Sequence, residues 1–181
     1  MHSNRILSVL ATTAVILTTI AVPAHAQDTA VAFTTELGVL SVATSGSARL
    51  NGGSNTPGGT ISGTLGTVTV TDTRGTAQGW TAGMYSTTGF VAAGNPPITN
   101  ANITYAPGHA TAVIAPGVPT IRAGAAGSPG SSSSTARTVY SYANTTAGSN
   151  SVSWNPTLRV NIPTGAHPGS QYSGTISYAV A

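Results

Sequence analysis

Asp72 and Arg74, in the stretch LGTVTVTDTRGTAQGW from Leu65 to Trp80, are the nearest this sequence comes to a reactive pair. A carboxylate beside a cation can orient a substrate, but acid–base hydrolysis of a sugar bond needs a second carboxyl group facing the first. Only Asp28 and Glu36 remain to supply it, and both lie near the start of the chain. A serine triad would need His109 or His167, which sit in APGHATA and TGAHPGS, contexts typical of solvated loops. No serine stands in G-x-S-x-G, the turn that exposes a nucleophile. Zinc wants three or four convergent ligands and calcium a cluster of carboxylates, and these side chains are too few and too scattered for either. The absence of cysteine excludes thiol catalysis and cysteine-ligated zinc. The inventory therefore predicts no catalytic residue, no metal and no cofactor. DTRG is expected to be a turn: Asp72 accepts turn amide hydrogens and pairs with Arg74 in a surface contact worth roughly 0–1 kcal/mol. Gly75 and Gly79 permit the reversal, and Trp80 re-enters the core.

The elements that position these residues begin after a removable leader. A short polar, basic start, an apolar run from Ile6 to Val22 and small residues spaced A-x-A at Ala24 and Ala26 predict a signal peptide over residues 1–26, cleaved after Ala26. Residues 27–181 are then expected to form one exported domain, with no later stretch of membrane-spanning length. Lysine is absent, and the exported arginines Arg49, Arg74, Arg122, Arg137 and Arg159 are scattered. That excludes the dense phosphate-neutralising stripe of a nucleic-acid binder.

Glycine and proline make up 33 of 181 residues, yet they punctuate patterned segments rather than replace them. TAVAFTTELGVLSVA alternates around Val31 and Phe33 and resumes in the same phase with Leu37 and Val39; LGTVTVTDT puts Val68 and Val70 on one face. Period two with β-branched residues predicts strands with one buried face. Further strands are expected at GWTAGMYS, ANITYA, ATAVIA, ARTVYSYA, TLRVNI and YSGTISYAV, with NGGSNTPGG, AAGNPP, APGVP, TTAGSNS and PTGAHPG as connections. Residues 123–135, AGAAGSPGSSSST, read as a long flexible surface loop. No segment repeats apolar residues at helical spacing. The fold class that follows is all-β: a single antiparallel, Ig-like β-sandwich with long Gly/Ser/Pro loops and little or no helix after the leader. Trp80 and Trp154 are expected in its core, as the largest apolar side chains available. Two N-x-S/T sequons, at Asn102 and Asn144, are potential glycan acceptors.

VTVTDTRGTAQGW and the closing WNPTLRVNIPTGAHPGSQYSGTISYAVA together resemble the WxL family of bacterial cell-surface proteins, in the manner of a divergent member. The resemblance covers most of the exported chain and rests on Asp72, Arg74, Gly75, Trp80, Trp154, Pro156, Tyr172 and Gly174. Ala82 stands where a W-x-L motif would have leucine, and the last strand lacks the further tryptophan that the family often carries. It implies a non-enzymatic β-sandwich, exported by a Gram-positive host and held non-covalently on the cell wall, with peptidoglycan or another envelope protein as partner and its motif residues structural. A different class of function also follows from the strands: a subunit of a surface fibre or adhesive layer, assembled through the uncharged closing strand at Thr175 to Ala181.

Overall fold

The computed structural model describes Thr34 and residues 37–181. The leader, its cleavage site at Ala24 and Ala26, and Asp28, Val31, Phe33 and Glu36 lie outside the described residues.

Strand β1 (Leu40–Thr44) pairs antiparallel with β4 (Val68–Asp72), and β2 (Gly52–Gly53) pairs with β3 (Thr60–Thr64). After β5 (Trp80–Tyr85) and the short β6 (Phe90–Val91), a 3-10 turn at Asn100–Asn102 leads into β7 (Ile103–Ala106). Then come β8 (Ala110–Ile114), β9 (Thr120–Ala123), a second 3-10 turn at Ser133–Thr135 and β10 (Arg137–Ala143). The chain closes through β11 (Asn150–Trp154), β12 (Thr157–Asn161), β13 (Ser173–Gly174) and β14 (Ser177–Val180). The fold is all-β, and every pairing between named strands is antiparallel.

Two of the four-stranded sheets, β1-β4-β11-β8 and β2-β3-β12-β7, are one ribbon folded across a corner. Three of its four lanes run through both halves with only short bends between: β3 into β4, β11 into β12, and β7 into β8. The ladder crosses the bend, since Thr157 pairs with Thr64, Leu65 N–H donates to Pro156 O, and Trp154 pairs with Val68. Gly66 makes the turn at φ +78°, where any Cβ would strike the Ser45 side chain. Such corners let one set of strands serve two packed layers. A third sheet, β14-β5-β10-β9, closes over the fold, and β13 with β6 forms a small two-stranded flap.

The core collects alternate residues of all three large sheets: Val68, Val70, Val152 and Trp154 from one half of the ribbon, Ile103, Tyr105, Leu158 and Val160 from the other, and Trp80, Ala82, Met84, Tyr140 and Tyr142 from the cover. A register shift between Thr138 and Tyr140 marks a bulge in β10, and Val139 and Tyr140 are consecutive buried residues there.

Several expectations are corrected. Leu37 and Val39 do not continue an inward face; they are 97% and 61% exposed, while Leu40 and Val42 pack on the core. Gly38 lies against the backbone of Thr73 and Arg74, and Val39 exchanges hydrogen bonds with Thr73, which fixes Leu40 opposite Asp72. A one-residue difference in phase exchanges the faces of a strand. NGGSNTPGG contains β2, and β3, β9 and the small flap strand β6 arise where no strand was expected. Asn150 and Ser151, assigned to a connection, open β11. YSGTISYAV is not one strand but two, β13 on the flap and β14 on the cover.

The segment after β9 is tied to the sheets. Gly127 bridges Tyr105, Gly130 bridges Tyr85, and the Arg137 guanidinium donates to the carbonyls of Ala125 and Ala126. Asn100 Nδ2 donates to Ser86 O and Gly130 O, and its Oδ1 is a buried acceptor without a protein partner.

Candidate functional site

The DTRG motif builds from the end of β4. Strand alternation turns the Asp72 side chain to the same face as Val68 and Val70, and it is 1% exposed. The bend after it carries Arg74 back over the carboxylate: Nε and Nη2 each donate at 2.9 Å, one to each oxygen, and the Arg74 amide donates at 3.0 Å. Nη2 also reaches Gly79 O at 3.2 Å. The expected surface contact is thus corrected to a bidentate pair with a buried carboxylate, because the side chain belongs to the strand's inner face. Hydrogen bonding to Arg74 holds the Asp72 carboxyl below its ordinary value despite burial, and raises the Arg74 guanidinium in turn. Gly75 takes φ +70° in this turn, and at Gly79 a Cβ would collide with Tyr142 O.

From Asp72 the network crosses the sandwich. Asn150, directly opposite Asp72 on β11, offers Nδ2 to the carboxylate at 3.5 Å, and its Oδ1 accepts Trp80 Nε1–H at 2.8 Å. Trp80 stacks on Tyr142 with ring centroids 5.6 Å apart and planes 7° from parallel. The second tryptophan anchors the other end. Trp154 stacks on Tyr140 at 4.4 Å, and its Nε1–H donates to Tyr105 Oη at 3.0 Å, which also accepts from Tyr178 at 3.2 Å. Burial raises the hydroxyls of Tyr105, Tyr140 and Tyr178 above the ordinary tyrosine value. Both tryptophans are core residues, 3% and 0% exposed, with every polar handle satisfied inside.

The accessible concave surface lies elsewhere. A groove of about 720 Å³ runs between the segment Ser47–Asn51 and the closing segment Ala166–Gly174. Its floor is Leu50, Ile61, Phe90, Ile98, Val160 and Ile162; Arg49, Asn51, Asn55, His167 and Gln171 stand along its rim. One wall is fixed by Asn95, whose Oδ1 accepts from the His167 amide and Ser170 Oγ, and by Tyr172 Oη, which donates to Pro96 O. A second cavity of about 250 Å³ shares Ser47, Ala48, Leu50, Phe90 and Gly174 with it, so the two adjoin along these residues, and the groove with its neighbour makes a trough beside Phe90.

Residues 41–180 match the family model described as WxL domain surface cell wall-binding. The chain belongs to the WxL family. No curated protein and no solved structure gives a significant match. The residues on which the sequence resemblance rests divide into three groups. Asp72, Arg74, Gly75 and Trp80 form the first network, and Trp154 with the buried Pro156 forms the corner and its aromatic cluster. Tyr172 and Gly174 instead line the groove, and a Cβ on Gly174 would strike Gly89 O where β13 meets β6. Ala82, two residues after Trp80, is fully buried on β5 with the bulky Tyr140 directly opposite.

His109 and His167 are both exposed, and His167 stands on the groove rim. Among the described residues no group of three or more His, Cys, Asp or Glu is arranged to hold a metal ion, and no helix is long and apolar enough to cross a membrane. The sequon asparagines are engaged: Asn102 Nδ2 donates to Thr99 Oγ1, and Asn144 Nδ2 to Pro116 O and Tyr142 Oη. Sequence reasoning missed Asn150 and the groove rim. NSVSW alternates as cleanly as VTVTD, which is the signal for Asn150; Arg49, Asn51, Asn55 and Gln171 meet only through tertiary structure and carry no local signal.

Proposed function

We propose that this chain is a secreted, non-enzymatic module that stays on the wall of a Gram-positive cell without a covalent link, with peptidoglycan or another envelope protein as its partner. The observation that carries this reading is the match of residues 41–180 to a surface cell wall-binding family. Two features support its finer parts. The leader pattern ending at Ala24 and Ala26 suits export. The sole acid among the described residues, Asp72, is buried and committed to Arg74, which leaves no free carboxylate among them for acid–base work. Purified exported protein is expected to sediment with isolated cell walls and to be released by salt or denaturant. Protein that stays in the supernatant overturns the reading.

A second reading, assembly into a surface fibre by strand pairing, is favoured by β8. This edge strand of the ribbon is exposed at all five residues, including Val113 and Ile114, and carries no charge. The closing strand β14 is a poorer donor for exchange, because its Tyr178 is bonded into the core cluster. Placing a lysine at Ile114 should abolish any assembly seen by light scattering and leave the monomer folded; a wild-type protein that stays monomeric at high concentration removes this reading.

A further inference from the structure

We propose that the trough beside Phe90 is the wall-ligand site of this chain, and that it takes a glycan strand of acetamido sugars bearing carboxylates, the chemistry of peptidoglycan. The assignment rests on the wall-binding reading and adds to it a place and a recognition chemistry. The groove volume of about 720 Å³ falls within the range of formed ligand sites, and its continuation into the second cavity suits an extended polymer better than a small metabolite.

The walls suit a sugar chain. Leu50, Ile61 and the half-buried Phe90 supply apolar floor for the C–H faces of pyranose rings. Asn51, Asn55 and Gln171 supply side-chain amides, which both donate and accept and so match hydroxyl and acetamido groups. None of these three side chains is engaged by another protein group among the described residues, whereas the neighbouring Asn95 is engaged through both its oxygen, which holds the wall, and its nitrogen. Charge selects further. Among the described residues Arg49 has no carboxylate partner and no acid lines the trough, so an anionic group is attracted and a cationic one is not. The carboxylates of peptidoglycan's stem peptides, and the lactyl carboxylates freed where a stem peptide has been removed, provide that anion along the sugar backbone.

The test compares the full exported chain with its Arg49→Glu and Gln171→Ala variants, both at exposed positions, in sedimentation with isolated walls and in calorimetric titration with a soluble disaccharide-peptide. Val113→Thr on the distant edge strand serves as control, and thermal melts check the fold. Arg49→Glu is expected to weaken both interactions by about tenfold or more, and Gln171→Ala by a smaller factor, with the control unchanged. Wild-type binding that neither trough variant alters overturns this site while leaving wall binding intact. Failure of the wild type to bind either walls or the soluble fragment overturns both. Binding that survives removal of the glycan but disappears when phosphate-rich wall polymers are extracted overturns the ligand class.

Discussion

Asp72 shows how a motif that looks reactive becomes structural once its strand is paired. Two arginine nitrogens and a backbone amide saturate the carboxylate, and Asn150 relays the contact to Trp80 across the sandwich. Trp80→Phe should leave Asn150 Oδ1 buried without its donor, at about 1–3 kcal/mol. In a double-mutant cycle with Asn150→Val, the pair together should cost less than the sum of the single changes; simple additivity in denaturant melts would show that the indole bond does not couple the sheets. The ion pair brings a pH dependence of definite sign. The folded state holds the Asp72 carboxyl below its ordinary value of 3.8, so the unfolded chain takes up the proton first. Its stabilisation is therefore complete above that value and is lost as pH falls through the lower folded-state value. Asp72→Asn should flatten the acid limb of the stability curve and cost about 2 kcal/mol at neutral pH, read from the same melts.

At the scale of elements, much was legible because alternation writes burial directly into the chain. VTVTDT, ARTVYSYA and TLRVNI appear as β4, β10 and β12, and in β4 Val68 and Val70 share the expected inner face. What failed to appear has physical causes. β2 is two glycines, which carry no pattern, and β3 reads TISGT, in which only Ile61 is strongly apolar. The phase error at Leu37 and Val39 arose because Gly38 and Thr73 set that register through backbone contacts, which no side-chain pattern records. The trough was invisible for a different reason: its rim gathers residues from positions 49 to 171. Ala82 connects motif to packing at this scale. It lies on β5 between Tyr140 on β10 and Val180 on β14, at 0% exposure, so a leucine in its place should crowd the cover sheet. Ala82→Leu is expected to destabilise by about 1–3 kcal/mol, seen as a lower melting temperature; an unchanged or raised value would mean that the tyrosines repack to admit it.

Across the whole molecule, the same cluster that joins the sheets also sets an upper pH limit on the fold. Trp154 from one half of the ribbon, Tyr105 from the other, and Tyr140 and Tyr178 from the cover meet in one buried group, so three sheets depend on it. With no cysteine to cross-link the chain, the folded state rests on such contacts and on sheet hydrogen bonds. Burial raises the hydroxyls of Tyr105 and Tyr178; Tyr105 further opposes ionisation of Tyr178, while the hydrogen bond that Tyr178 donates offsets part of the rise at Tyr105. The folded state thus favours the protonated forms, and their contribution is complete below the ordinary tyrosine value of 10.0 and decays as pH rises above it. The protein should therefore lose its near-ultraviolet circular dichroism together with a cooperative rise in tyrosinate absorbance beginning near that pH. Tyr178→Phe removes one ionisable group while keeping the ring against Tyr105, and should move the alkaline transition to higher pH. A transition unmoved by that substitution would place the alkaline weakness outside the cluster where the three sheets meet.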